Sequence, residues 1–352
     1  MTLKTLKKLG HLNFAFFVLP PFMVLLIIGT LAQPWLGLYR AQSALFSSWV
    51  IWAGPIPLPG GMVLLGLITL SLLFKFLFYS TWRWSKTGII LSHLGVLVLL
   101  IGGLFTQITA KEGFMMLPEG QSSGYVYDYT VRSLFIFKNE TLHEDINFKD
   151  LSGSLDLDLP FKINILNTCA NCLIEAQTDD DPALEGMAKN MRLVAKPQEK
   201  EPERNFSGLS AAINGKRYVL FENMPAPIEI TDDNGDNYKL IFGKQQRALP
   251  FTITLKNFAK KTYPNSPKAQ NYYSDIIIND GTRWPVRVEM NKPLRYKGYT
   301  FFQSSFSQTD DVNASVLAVV ENRTYPFPYI GTALLALGLL IHCGFMMRER
   351  LP

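Results

Sequence analysis

The run from Gly88 to Phe105, GIILSHLGVLVLLIGGLF, leaves the chain few folds to choose from. It holds 18 residues with a single ionisable side chain, which at about 1.5 Å per residue is long enough to cross a bilayer core as a helix. Gly88, Gly95 and Gly102 recur every seventh residue, so they share one helix face that a second helix can approach closely. The ionisable residue is His93. It lies two residues from Gly95, roughly 200° around the helix, and so points away from the glycine face, alongside Val96, Leu97 and Leu100. An imidazole in a membrane span is costly, so it is either a site residue or a hydrogen-bonding strut between helices. This helix alone leaves both readings open.

Three further apolar runs, Phe14 to Ala32, Met62 to Tyr79 and Tyr329 to Met347, have similar length. They predict a membrane protein with four transmembrane α-helices, three N-terminal and one C-terminal, at 13–33, 62–80, 87–109 and 328–347. The first run follows Lys4, Lys7 and Lys8, is too long for a signal-peptide core and lacks a small-residue cleavage site, so it reads as an uncleaved anchor. Pro20 and Pro21 predict a kink within it. Residues 34–61 carry Trp35, Trp49 and Trp52 and predict a segment lying at the membrane interface. Lys and Arg flanking the spans put 1–12, the loop 81–86 and the tail 348–352 on the cytoplasmic side. The large segment 110–325 is then extracytoplasmic.

Charge separates the two parts. The first acidic residue is Glu112, and 110–325 carries 25 basic and 28 acidic residues. A basic membrane part beside a slightly acidic folded part argues against a nucleic-acid partner; the cations read as topology signals among membrane lipid. Within 110–325, alternating stretches such as YVYDYTVRSLFIF, FTITLKNF and WPVRVEM are separated by turns such as Asn279-Asp280-Gly281. This predicts an all-β, sandwich-like domain. A short helix is expected over 183–194, followed by a mobile Pro/Glu/Lys-rich loop.

His93 lies seven residues past Lys86, and His342 six before Arg348, on spans of opposite direction. Both imidazoles are then expected at similar depth, roughly 9–11 Å from the cytoplasmic edge. His342 shares a face with Gly338, Leu335 and Gly331. Paired imidazoles among apolar side chains suit the iron of haem b. Zinc usually takes more ligands, and a proton relay would add acidic groups that these spans lack. His342 also reads as a snorkelling interfacial residue, His11 as interfacial, and His143 as solvated. Cys169-Ala-Asn-Cys172 has the spacing of a disulfide, structural or redox-active. Leu173 follows it where a c-type haem attachment site needs histidine. Cys343 is expected as a buried small hydrophobe.

The order of three spans, a large β-rich domain and a final span resembles the ResB-type cytochrome c biogenesis proteins. GTLAQPW (Gly29 to Trp35), the His93 helix, SDIII (Ser274 to Ile278) and NKPLRYKGYTFFQSSF (Asn291 to Phe306) carry the resemblance, over 1–110 and about 250–347. It implies a bacterial inner-membrane protein of System II, with its large domain in the periplasm. Such a protein passes haem b outward with a CcsA-type partner and presents it to the CXXCH motif of apocytochrome c. His93 corresponds to the family's third-span histidine, an intramembrane haem ligand whose usual mate lies in that partner. The external histidines and tryptophan-rich motif of haem attachment also belong to the partner, which makes this chain a non-catalytic or co-catalytic subunit of a holocytochrome c synthase. Two other classes stay open. One is a b-type cytochrome in electron transfer, with His93 and His342 on one haem; the other is a non-haem scaffold that recruits a secreted protein.

Overall fold

A computed structural model describes residues 3–179, 181–222, 224, 226–232, 234–266, 268–308 and 313–350. It forms two compact units, one of Met1–Lys111, Lys297–Tyr299 and Glu321–Pro352, the other of Glu112–Tyr296 and Thr300–Val320.

The first unit is built on four helices long and apolar enough to cross a membrane: α1 (Leu12–Leu36), α2 (Gly61–Tyr79), α3 (Thr87–Thr109) and α4 (Pro326–Arg350). They are apolar nearly all round, with Phe17, Ile27, Leu77 and Leu340 turned outward, as suits helices solvated by lipid. Pro20 and Pro21 lie inside α1, and neither ends it. The period-seven glycines do what their spacing predicts. A Cβ on Gly88 would sit 2.4 Å from the backbone nitrogen of His342, one on Gly95 2.6 Å from that of Leu335, and one on Gly102 2.4 Å from Cβ of Phe327. Gly331 and Gly338 of α4 return the contact, so α3 and α4 meet backbone to backbone. At one end of this seam the Thr106 and Thr324 hydroxyls share a 2.6 Å hydrogen bond. Helices α1 and α2 meet through Val18, Leu25 and Leu64. Between them, helical turns over 38–46 lead into a hairpin, Val50–Ala53 with Ile56–Pro59, and Trp35, Trp49 and Trp52 stay exposed.

The second unit is all β. Among the described residues a ten-stranded sheet runs in the order Arg283–Glu289, Ala269–Asn279, Asn237–Thr262, Ser122–Lys138, Lys111–Pro118, Asn313–Glu321, Tyr299–Gln308 and Leu294–Tyr296. Ile228–Thr231 and Thr141–Asn147 add to it on the two longest strands. A four-stranded sheet (Lys216–Phe221, Gly208–Ile213, Ile163–Cys169, Gly153–Leu155) covers part of one face. Their shared core joins Leu134, Ile136, Leu240 and Phe242 of the large sheet to Ile163, Ile165, Leu209 and Ile213 of the small one, as a sandwich requires. Within NKPLRYKGYTFFQSSF, Lys297 (φ 47°) and Gly298 (φ 84°) form the tight turn between the last two strands of the large sheet. Two positive φ values in sequence are what a two-residue hairpin turn demands.

One expectation for this unit is corrected. Residues 183–194 form a 3₁₀ turn at Gly186–Lys189 and then a strand, Met191–Ala195, paired with Cys172–Ala176. The helix-favouring Ala, Lys and Met residues of that stretch yield to pairing with the β-rich CLIEA run. In the segment that follows, Asn171 donates to the Pro197 carbonyl at 2.6 Å, and Arg132 to the Asn205 carbonyl at 2.7 Å.

Candidate functional site

Helix α3 turns His93 away from the glycine seam and toward α1 and α2. Its Nδ1 lies 2.7 Å from the Ile89 carbonyl, one helical turn back. A carbonyl only accepts, so Nδ1 carries a proton, and in the neutral ring Nε2 is the nitrogen with the lone pair. That is the tautomer a metal-binding imidazole needs, with the second nitrogen held by a backbone acceptor.

His93 lines two neighbouring cavities, both of which Leu72 and Lys75 also line. One, of about 190 Å³, is lined by Leu72, Phe76, Ile90 and the cations Lys75 and Lys86. The other, of about 210 Å³, is bounded by His11, Ala15 and Leu19 of the α1 side and by Ser71 and Lys75 of α2. The site therefore has an apolar floor, one ligand-competent nitrogen, and ammonium groups at its basic end.

His11 was legible only as an interfacial residue, yet it shares a cavity with His93. It caps α1, its Nδ1 accepting from the Asn13 amide at 3.3 Å, which leaves the proton on Nε2. Its ring stands edge-on to Tyr79, centroids 6.0 Å apart, and the Tyr79 hydroxyl donates to the Lys7 carbonyl. The signal was present: His11, Lys75 and Tyr79 all lie within two turns of a basic flank.

His342 stands elsewhere. Its backbone packs on Gly88, on the seam face of α3, and it lines neither cavity beside His93. Gly88 precedes His93 by five residues, so the two histidine backbones are offset by about 7.5 Å along the helix. The glycine contacts set the register of α3 against α4, and the His93 ring reaches back one turn toward the Gly88 level through its contact with the Ile89 carbonyl. Cys343, expected to be buried, lies exposed on α4.

In the β unit, Cys169 and Cys172 are joined by a disulfide, their Cα atoms 5.8 Å apart and both residues almost fully buried. The bond closes a turn that organises its surroundings: the Cys172 amide donates to the Phe206 carbonyl at 2.7 Å, and Ser207 Oγ to the Ala170 carbonyl at 3.0 Å. His143 is exposed, its Nε2 3.2 Å from the Asp158 carbonyl, as a solvated histidine should be. Among the described residues no group of three or more His, Cys, Asp or Glu could hold a metal ion.

Comparison with known proteins bears out the resemblance. Residues 228–326 match the ResB-like family, a segment that contains both SDIII and NKPLRYKGYTFFQSSF. The chain is also similar to protein NrfI of Wolinella succinogenes, 27% identical over 285 residues, which is 79% of this chain and 29% of NrfI. It thus spans less than a third of that relative's length.

Proposed function

We propose, starting from the ResB-like match, that this chain is the haem-channelling subunit of a membrane haem lyase complex in cytochrome c maturation. In this reading it sits in a bacterial inner membrane with its β unit in the periplasm. The observation that carries the reading is His93, whose Nδ1 donates to the Ile89 carbonyl and whose Nε2 is thereby the nitrogen left for a ligand, beside an apolar cavity wall. Such a nitrogen ligates haem iron, and haem b here is cargo. The flat ring would lie against Leu72, Phe76 and Ile90, and its carboxylates would meet Lys75 and Lys86.

Size argues for a shared site. The cavities of about 190 and 210 Å³ fall short of the roughly 300–1,000 Å³ that encloses a drug-sized ligand. This chain would support one edge of the macrocycle, and a CcsA-type partner would close over the rest and supply the second axial ligand. His93 makes and breaks no covalent bond in this scheme. It holds iron, while thioether formation falls to the partner and the CXXCH thiols of apocytochrome c.

The electron-transfer reading, with His93 and His342 on one haem, is less well supported because the backbone of His342, on α4, packs on the glycine face of α3 and His342 lines neither cavity beside His93. The decisive experiment is expression in a host that lacks any maturation system. This chain alone should yield no holocytochrome c, and co-expression with a CcsA-type protein should yield it. Holocytochrome c from the single chain would overturn the proposal. A co-purified complex free of haem would favour the scaffold reading instead.

A further inference from the structure

The β unit holds a cavity of about 680 Å³, more than three times either cavity beside His93. Strands Lys111–Pro118, Ser122–Lys138 and Asn237–Thr262 supply Phe114, Met116, Tyr127 and Phe242 to it, and Met224 adds a second thioether. Among the described residues that line it, Lys244 is the only charged one.

The charge balance beneath that lysine is uneven. Lys244 is the cross-strand neighbour of Arg132, and like charges directly opposite destabilise a sheet. One carboxylate, Glu222, with a side chain 1% exposed, lies between them. Arg132 takes it, Nε to Oε2 at 3.0 Å, and commits its other nitrogens to the carbonyls of Thr130 and Asn205. The Lys244 ammonium is 3.7 Å from Glu222 Oε1, beyond hydrogen-bond range, and Oε1 is buried with no hydrogen-bond partner. It stands 5.1 Å over the Phe114 ring and donates to the Tyr129 carbonyl at 3.4 Å. Burial pushes its pKa down, with Glu222 acting against that shift. Two cations thus share one buried carboxylate, with Glu203 a further, weaker acidic influence on Lys244, and the ammonium borders an apolar cavity. An anion bound there would offset what burial costs.

We propose that this cavity binds an amphiphile with a large apolar body and a carboxylate, the body against Phe114, Met116 and Tyr127 and the carboxylate on Lys244 Nζ. A single ammonium beside a fully committed guanidinium suits a carboxylate better than a phosphate, which draws several donors. A long-chain fatty acid and a porphyrin both present this chemistry. The site does not rest on the haem-channelling reading.

The test is photolabelling of the full chain in lipid nanodiscs with a diazirine-bearing long-chain fatty acid, its alcohol analogue serving as control. The acid should label peptides containing residues 111–118 and 224–227. The alcohol should label them at least about tenfold less, the loss expected for one charge-assisted hydrogen bond. Lys244→Met should bring the acid down to the level of the alcohol and leave the alcohol unchanged. It leaves Arg132 and Glu222 balanced, so the variant is expected to fold, and Lys244→Arg should keep acid labelling. Met116→Trp should reduce both probes by filling the cavity. Competition by palmitate identifies a lipid source and competition by haemin a porphyrin source; either supports the site. Absence of acid labelling at these peptides, equal labelling by acid and alcohol, or acid labelling unchanged in Lys244→Met would each overturn it.

Discussion

Replacing Gly88 and Gly95 with alanine tests whether the α3–α4 seam organises the helical unit. At Gly88 the added Cβ meets the His342 nitrogen at 2.4 Å and the Gly338 carbonyl oxygen at 2.7 Å; at Gly95 it meets the Leu335 nitrogen at 2.6 Å and the Gly331 carbonyl oxygen at 2.7 Å. These obstacles are backbone atoms, so no side-chain rotation relieves them. Ordinary contact begins near 3.4 Å, so the helices must part locally by about 0.8–1 Å. Overpacking of this kind costs about 1–3 kcal/mol per site, and two sites on one seam share a displacement, giving about 2–4 kcal/mol for the pair. A helical Gly→Ala change also gains about 0.8–1.0 kcal/mol in propensity. Gly66 and Gly103 provide the control, since nothing lies within 4 Å of a Cβ at either. Propensity cancels between the two double variants, so the seam pair should be less stable by about 2–4 kcal/mol. Unfolding of the purified chain in mixed micelles with rising dodecyl sulfate would measure this by tryptophan fluorescence, five of the six tryptophans lying in the helical unit. Equal stability of the two variants, within about 0.5 kcal/mol, would refute close backbone packing as the basis of the seam.

The other predictions concern the site and the β unit. His93→Gly should remove low-spin haem absorbance from the complex with a CcsA-type partner, and added imidazole should restore it; an unchanged spectrum would dismiss His93 as a ligand. His342→Met should leave the axial-ligand signature unchanged, because His342 packs on the seam and away from the cavities. The Cys169→Ser/Cys172→Ser variant should lose about 2 kcal/mol, the loop-entropy value for so short a loop, and retain haem attachment. Failure of attachment rescued by an external thiol reductant would instead give the pair a redox role. Glu185 is held down to about 2 by hydrogen bonds from Lys189 and Lys216. A depressed folded pKa means its contribution is present above the ordinary value of about 4.5 and lost as pH falls toward 2. Lys216→Gln should therefore weaken the acid dependence of β-unit stability in that window, and an unchanged profile would exclude the pair.

What was legible in the sequence follows the range of the interactions involved. Apolar length and a glycine period are local, so the four helices, the seam face and the orientation of His93 could be read directly. The partners of His93 could not. Counting residues to a flanking cation estimates depth but says nothing about which neighbouring helix stands opposite. Register between α3 and α4 is fixed by Gly88, Gly95, Gly331 and Gly338; that contact sets the backbone of His342 on the seam face, while His11 lines a cavity with His93. In the β unit the strands announced themselves by alternation, but Met191–Ala195 hid behind helix-favouring residues until its partner Cys172–Ala176 was in place. The imbalance at Lys244 is less local still, since Arg132 and Glu222 lie 90 residues apart in sequence. A pair of cations on one carboxylate exists only once two long strands and the turn that carries Glu222 have come together. No motif search would find it, and composition points the other way, because the segment 110–325 is acidic overall. The β unit read from sequence alone lacked an obvious binding site because its histidines and tryptophans are few. Its cavity is instead built from Phe, Met and Tyr residues that the same alternation marks as ordinary sheet, and only the folded charge balance sets it apart.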